Sequence, residues 1–218
     1  MRLNKYIAQA SGLSRRAADN AIETGRVMIN DIAPSQGQQV TNEDAVTLDG
    51  KTLHANSETV TIMLHKPAGY VCSRDGQGSK TVYDLLPDEY QDLKTVGRLD
   101  KDSSGLLLLT NDGQLAYELT HPKFQKTKVY KVRLHKPLEP ADLRAITQEG
   151  VMLDDGASKF KLSKLDNEGR EWQVTMSEGR NRQIRRTFSE RDYTVRKLHR
   201  TAFGDYHLGD ISAGKFAK

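Results

Sequence analysis

Residues 96–113 read VGRLDKDSSGLLLLTNDG. Two glycines bracket a polar stretch that holds two carboxylates, an arginine, a lysine and two hydroxyls. The four leucines that follow are typical of a fully buried strand, and the Asn-Asp-Gly sequence predicts a turn after it. A buried strand holds a neighbouring loop rigidly, and rigid polar loops commonly carry chemistry. Asp100 is therefore the first candidate for a catalytic residue.

Two simpler interpretations of this loop compete with catalysis. Asp100 could form a structural ion pair with Arg98 or Lys101, its neighbours in sequence. Asp100 and Asp102 could also hold the metal ions of a phosphoryl-transfer enzyme. That chemistry requires several hard oxygen ligands at one place, and no second acidic cluster of this kind stands out in the sequence. We therefore expect no metal ion and no metal ligands.

The composition of the 218 residues is typical of a soluble globular protein, with 28% charged and 36% hydrophobic residues. No stretch reaches the ~18 apolar residues of a membrane span, and residues 1–7 lack the apolar core of a signal peptide. The single cysteine, Cys72, excludes an internal disulfide and is expected to be a buried structural thiol. These features predict a cytoplasmic protein with no membrane partner.

Positive charge is concentrated in two segments. Residues 123–136 contain six Lys/Arg and no acid, and residues 177–200 contain eight Lys/Arg and three acids. Because the net charge of the whole chain is only +4, the remainder is net negative. Basic segments on an acidic background favour a face that binds a polyanion such as a nucleic acid. The alternative is a solvated charged surface.

The first 53 residues predict a small domain of two helices and short strands. Apolar residues recur at helical spacing from Leu3 to Ala10, and Ser14 can cap a second helix that closes at Gly25. Two arginines at the start of that helix oppose its dipole, which a phosphate partner would relieve. Two exposed arginines at a small energetic cost are the alternative. The candidate RNA-binding residues of this domain are Arg2, Lys5, Arg15, Arg16 and Arg26.

A polar, aperiodic stretch at residues 54–59 predicts a linker, and a larger domain follows over residues 60–218. Strands are predicted near residues 60–64, 106–109, 129–134, 151–153, 172–176 and 195–200, and helices near 82–86, 114–120, 140–146 and 183–189. The predicted fold class is α+β, with a mixed, mainly antiparallel sheet and flanking helices. Alternation places Tyr130 in the core, whereas its lysine neighbours favour stacking on a base; both interpretations stay open.

The N-terminal motifs resemble a known module. They are MRLNKYIA at residues 1–8, SRRA at 14–17 and GRVMIN at 25–30. They are similar to the S-four-like RNA-binding domain, first named for a ribosomal small-subunit protein. Asp31 stands where that module usually has glycine, and aspartate tolerates the left-handed conformation of such a turn.

Four further motifs occur in order behind this module. They are HKPAGYVCS at residues 65–73, GRLDKDSSGLLLLTNDG at 97–113, KVYKV at 128–132 and EGRNRQIRR at 178–186. Together they resemble the RsuA-type family of ribosomal RNA pseudouridine synthases. The resemblance implies a cofactor-free isomerisation of one uridine in ribosomal RNA. The glycosidic bond to nitrogen is broken, the uracil turns, and the base is rejoined through carbon five.

The resemblance also implies roles for single residues. Asp100 is the catalytic aspartate, Tyr130 contacts the flipped base, and Arg185 pairs with Asp100. Since an ordinary aspartate is ionised at neutral pH, the arginine serves to make a carboxylate tolerable in a pocket where a base replaces water. Asp102 takes a supporting role. Whether the aspartate attacks the sugar or removes a proton from it is left open by the sequence.

The implied partner is ribosomal RNA, free or within pre-ribosomal particles, bound by a monomeric protein. Candidate RNA-binding residues in the larger domain are Arg98, Lys128, Arg180, Arg182 and Arg186. The competing hypothesis is a non-catalytic rRNA-binding or ribosome-assembly factor built from the same parts.

Overall fold

The computed structural model describes residues 1–41, 43–54 and 58–218. The chain forms two compact units, Met1–Thr59 and Val60–Lys218. The linker predicted at residues 54–59 overlaps this boundary, and residues 55–57 of it lie outside the described residues.

The N-terminal unit contains both predicted helices, α1 (Leu3–Ser11) and α2 (Arg15–Glu23). Its small antiparallel sheet has the order β1 (Val27–Ile29), β2 (Val46–Leu48) and β3 (Lys51–Thr52). The hydroxyl of Ser14 accepts a hydrogen bond from the Ala17 N–H at 3.1 Å, which confirms the predicted cap. Leu3, Ile7, Ala18 and other apolar side chains of these elements form a separate core.

The C-terminal unit is built on one large mixed sheet. Its first strands along the chain are β4 (Thr61–Lys66), β5 (Lys94–Val96), β6 (Ser104–Thr110) and β7 (Lys128–Leu134). A two-stranded hairpin, β8 (Val151–Leu153) and β9 (Gly156–Ser158), stands apart. The main sheet is completed by β10 (Lys161–Lys164), β11 (Glu171–Met176), β12 (Val195–Phe203), β13 (Tyr206–His207) and β14 (Phe216–Ala217).

The strand order is β10-β11-β7-β12-β6-β4-β14, with β5 also paired to β6 and β13 to β12. Of the pairings between the described strands of this sheet, that of β6 with β12 is parallel and the others are antiparallel. The helices are α3 (Gly113–Thr120), α4 (Pro140–Arg144), which continues as a π-helical turn through Glu149, and α5 (Gln183–Ser189). The predicted α+β class is confirmed.

Strand β6 lies at the centre of this unit, as its leucines predict. All four leucines, Leu106 to Leu109, are fully buried. Because side chains alternate along a strand, Leu107 and Leu109 pack with Ile62 and Leu64 on one face of the sheet. Leu106 and Leu108 pack on the opposite face, in a cluster that includes α3 residue Leu119.

Gly105 allows β6 and β12 to approach closely. It pairs with Arg200 across the parallel ladder, and its φ of 109° lies in the region that favours glycine. A Cβ atom at this position would lie 2.2 Å from the Arg200 carbonyl oxygen, far inside van der Waals contact. The close pairing places the polar loop before β6 beside β12.

Candidate active site

Residues 97–103 form the loop between β5 and β6, and Lys66 at the end of β4 anchors it. The Lys66 side chain is fully buried. Its ammonium donates hydrogen bonds to the backbone carbonyls of Ser103 (2.7 Å), Asp100 (3.0 Å) and Pro67 (3.1 Å). Burial lowers the pKa of Lys66, and the nearby charge of Asp100 opposes that shift. Lys66 belongs to the motif at residues 65–73, but no role was predicted for it.

Cys72 holds the same loop through its partly buried thiol. The Sγ atom donates to the Leu99 carbonyl at 3.3 Å, and the Leu99 N–H lies 3.4 Å from Sγ. Burial raises the pKa of the Cys72 thiol. A thiol with a raised pKa that bonds to backbone is a structural group, in agreement with the prediction.

Two arginines near the start of α5 contact the acidic side chains of the loop. Arg182 Nη1 lies 3.4 Å from Asp100 Oδ2, and the Arg182 guanidinium makes two 3.2 Å hydrogen bonds to Asp102. Arg185 Nη2 lies 3.2 Å from Asp102 Oδ2 and 3.1 Å from the Asp102 carbonyl, while its Nη1 donates to Val195 in β12 at 2.8 Å.

The prediction that Arg185 pairs with Asp100 is therefore wrong. Asp100 pairs with Arg182, and Arg185 pairs with Asp102. Arg182 precedes α5 with a left-handed backbone (φ 46°), and from there its side chain reaches both carboxylates of the loop. Arg185 extends between Asp102 and β12. Arg182, predicted as an RNA-binding residue, is thus the arginine that contacts Asp100.

Asp102 has the supporting place predicted for it. Burial disfavours its charged form, but the hydrogen bonds from Arg182 and the charges of Arg185 and Arg182 outweigh this and lower the pKa of Asp102. The hydrogen bond to Asp102 raises the pKa of Arg182, whereas burial lowers that of Arg185. Asp102 therefore fixes the two arginines.

The Asp100 carboxylate faces a cleft of about 880 Å³. Tyr130 lines the same cleft and is only 8% exposed, since much of its ring packs with the sheet core. The two interpretations of Tyr130 are thus compatible. The side chain of Asp100 is 32% exposed to solvent. This arrangement presents an accessible carboxylate beside a tightly packed aromatic ring.

Arg200 is a buried cation of the cleft that the sequence analysis missed. It is 2% exposed, its Nε donates to the Leu106 carbonyl at 2.8 Å, and its guanidinium lies 4.9 Å from the centre of the Phe203 ring. Lys128 Nζ lies 5.1 Å from the same ring. Both cations line the cleft and create a positive field near Asp100. The alternating pattern of β12 signals a buried position at Arg200, but not its surroundings.

The other predicted RNA-binding residues of this unit fall into two groups. Arg98 and Lys128 line the cleft. Arg180 also lines the cleft, but its Nη1 atom is paired with Asp155 Oδ1 at 2.7 Å. Arg186 bonds to Asp154 and, at 2.7 Å, to Asp155, and it is not among the residues that line the cleft. The geometry gives Arg180 and Arg186 a structural role, in which they fasten the β8–β9 turn to the segment around α5.

The predicted basic residues of the N-terminal unit lie on its surface. Arg2, Arg15, Arg16 and Arg26 are exposed and Lys5 is half-buried. Arg26 is paired with Asp49, with 2.7 Å between Nε and Oδ1, so its charge is partly compensated. Arg15 donates to the side chain of Asn4 at 3.3 Å, which links the start of α2 to α1.

The described residues contain neither a metal-ligand cluster nor a membrane-spanning helix. Within residues 1–41, 43–54 and 58–218, no three His, Cys, Asp or Glu side chains are grouped so that they could hold a metal ion. In the same ranges, no helix has the length and apolar character needed to cross a membrane.

The site thus combines an accessible carboxylate with a cleft of the mixed sheet that is lined by cations, which favours a polyanionic ligand. The model of the RNA pseudouridylate synthase family matches residues 60–190, more than half of the chain. The chain therefore belongs to that family and is an isomerase, which confirms the resemblance of its four motifs.

Individual relatives match nearly the whole chain. Ribosomal large subunit pseudouridine synthase B of Bacillus subtilis (strain 168) is 37% identical over 98% of this chain and 89% of its own length. The protein of the same name from Vibrio vulnificus (strain CMCP6) is 38% identical over 95% of this chain and 68% of its own length. This chain is also similar to a crystal structure of a pseudouridylate synthase, with a TM-score of 0.72 and 35% sequence identity. The match covers 100% of this chain and 95% of the chain in that structure.

Proposed function

We propose that this protein isomerises a uridine of large-subunit ribosomal RNA to pseudouridine, with Asp100 as the catalytic carboxylate. The names of the relatives that match nearly the whole chain support this substrate. The observation that carries the proposal is the position of Asp100, an accessible carboxylate in a cleft lined by Arg98, Lys128 and Arg200. A protein that only binds RNA gains nothing from an anion at this place, because that anion repels the phosphates.

The reaction breaks the bond between the sugar and N1 of uracil, turns the base, and forms a bond from the sugar to C5. The proton on C5 is released and N1 gains one, so substrate and product are isomers. Asp100 either attacks the sugar as a nucleophile or removes a proton from it, and both routes use the ionised carboxylate. Arg182 orients that carboxylate from one side of the cleft.

The remaining residues bind and position the RNA. The target nucleotide must leave its stack, at a cost of a few kcal/mol. Tyr130, packed in the wall of the cleft, contacts the flipped uracil, and Arg98 and Lys128 attract the neighbouring phosphates. The N-terminal unit binds ribosomal RNA through Arg15, Arg16 and the basic residues near them. It thereby supplies affinity away from the reacting nucleotide.

Tritium release provides the test. Large-subunit rRNA carrying uridine tritiated at C5 loses its label only when the base is rejoined through that carbon. The wild-type protein is expected to release tritium, and Asp100→Asn to lower the rate by about 10³-fold or more while the Kd for the rRNA stays within about 3-fold.

Asp102→Asn is the matched control, since it makes the same change two residues further along the loop. It is expected to retain measurable turnover, because Asp102 contacts arginines and is not among the residues that line the cleft. Tritium release by Asp100→Asn at the wild-type rate would remove Asp100 from the mechanism. Tight binding of rRNA by the wild-type protein without any release would identify an assembly factor instead.

A further inference from the structure

Two exposed aromatic side chains lie side by side at the end of α3. Among the Tyr, Phe and Trp residues that the structure describes, Tyr117 and Phe124 are the exposed ones, with 40% and 36% of their surface accessible. Their ring centres are 5.5 Å apart and their planes are nearly perpendicular, at 89°. Exposed aromatic rings that lie together, instead of singly, indicate an interaction surface.

His121 completes this group of rings. Its ring centre lies 4.8 Å from that of Tyr117 and 6.4 Å from that of Phe124. The His121 Nδ1 accepts from the Lys123 N–H at 3.3 Å and caps a single 3-10 turn, Pro122–Phe124, that follows α3. Backbone structure thus holds the three rings in place before any ligand binds. We call Tyr117, His121 and Phe124 the ring cluster.

A cation lies over the ring cluster. Lys123 Nζ is 4.9 Å from the centre of the Tyr117 ring and 4.7 Å from that of Phe124. Aromatic faces combined with a lysine or arginine are the means by which proteins bind unpaired nucleotides, since every base has a π face and every nucleotide carries a phosphate.

His121 of the ring cluster lines the cleft that contains Asp100, whereas Tyr117 and Phe124 lie outside that lining, next to His121. The cleft is lined by Thr120, His121, Pro122, Gln125 and Lys126 as well as by Asp100. The segment that carries the rings is therefore part of the rim, and an RNA strand that enters the cleft at this side passes them.

We propose that the ring cluster stacks an unpaired base of the RNA strand next to the target uridine, with Lys123 at the phosphate of that nucleotide. The inference rests on the proposed function, since it concerns the strand whose uridine reaches Asp100. Stacking does not read sequence, so the platform accepts any base. By stacking this base, the ring cluster keeps the strand unpaired next to the position that the target uridine has left.

The test uses a fluorescein-labelled oligouridine of about 12 nucleotides and a second copy in which one base is replaced by 2-aminopurine. The fluorescence of 2-aminopurine falls when the base stacks. The variants are the double substitution Tyr117→Ala with Phe124→Ala, the rescue variant Tyr117→Phe, and Leu165→Ala as the control. Leu165 is an exposed apolar residue of the same unit, 45% accessible, and it does not line the cleft.

The double variant is expected to raise the Kd about 10-fold and to abolish the quenching of 2-aminopurine, which a merely structural change would not do. The increase should be the same at about 50 mM and about 200 mM salt, because stacking does not release counterions. With rRNA as substrate, KM should rise while kcat stays within about 2-fold, because uniform binding is lost. Tyr117→Phe and Leu165→Ala should match the wild type.

Unchanged Kd and unchanged quenching in the double variant would overturn the proposal, as would an increase in Kd that disappears at the higher salt concentration. A lower kcat with unchanged KM would also overturn it. Failure of the proposed function is distinguishable, because there the wild-type protein itself releases no tritium from rRNA. Loss of binding to a ribosomal protein, with RNA binding intact, would assign the ring cluster to a protein partner and overturn the stacking role.

Discussion

The buried ammonium of Lys66 lies 3.0 Å from the backbone carbonyl of Asp100, and the side-chain carboxylate of Asp100 meets Arg182 at 3.4 Å. The backbone of Asp100 is thus held by a cation from the protein interior, while its side chain is held by an exposed one. This separation allows the carboxylate to face substrate while the loop beneath it stays fixed. The variants below test the two contacts separately.

Lys66→Met is expected to lower the free energy of unfolding by about 2–4 kcal/mol, because three backbone carbonyls lose a buried donor. Turnover should fall as well, since the Asp100 loop is no longer anchored. Urea denaturation and tritium release at a temperature where the variant is folded measure the two effects. Lys101→Met is the control, because Lys101 is an exposed lysine of the same loop that contacts Ser79. A Lys66→Met protein as stable as Lys101→Met would contradict the anchoring role.

Arg182→Ala is expected to lower kcat by about 10- to 100-fold, because the carboxylate of Asp100 loses its orienting partner. Its effect on stability should be small, since the Arg182 side chain is 44% exposed. Arg185→Ala provides the comparison: this side chain is 12% exposed and ties the loop to β12. It should lower the free energy of unfolding by about 1–3 kcal/mol. If Arg182→Ala retained full kcat, the contact with Asp100 would have no catalytic significance.

Gly105→Ala is expected to destabilise the C-terminal unit by about 2–4 kcal/mol, since the new methyl group would collide with the backbone of Arg200. Gly113→Ala is the matched control. Gly113 is the first residue of α3, and a Cβ atom there would meet nothing within 4 Å. That variant should be neutral or slightly stabilising. Equal unfolding midpoints for the two variants would show that β6 and β12 can move apart without any loss in the free energy of unfolding.

Arg15→Glu combined with Arg16→Glu is expected to weaken rRNA binding by about 10-fold at moderate salt and to reduce the slope of log Kd against log salt by about two, one for each phosphate contact. Arg16→Glu alone can be compared with Lys51→Glu, which makes the same charge change at an exposed residue of β3. Unchanged affinity and slope in the double variant would show that the N-terminal unit does not contact the RNA through α2.

Local patterns predicted the elements that local interactions determine. The leucines of β6, the alternation in β7, the capped helix α2 and the helix α3 are all present where the sequence indicated them. The short strands β5, β9, β13 and β14 were not predicted. Each has two or three residues and is defined by its pairing partner, so its own residues carry too little periodicity to reveal it.

The contacts of the site depend on pairings that sequence spacing does not encode. The bond from Lys66 to Asp100 follows from the register of β4 against β6, which pairs Lys66 with Gly105. The choice of Arg182 over Arg185 as the partner of Asp100 depends on one left-handed residue before α5. The loop pattern and the resemblance singled out Asp100 as the candidate, whereas the groups that surround it are known only from the fold.

The parallel pairing of β6 with β12 determines when the cleft can form during synthesis. Asp100 leaves the ribosome in the first half of the chain, whereas its arginine partners and β12 follow at residues 182–203. Until then Ser104 and Gly105 of β6 lack the residues of β12 with which they pair, and the loop that carries Asp100 lacks the arginines that contact it. Translation of nearly the whole chain therefore precedes assembly of the cleft around Asp100.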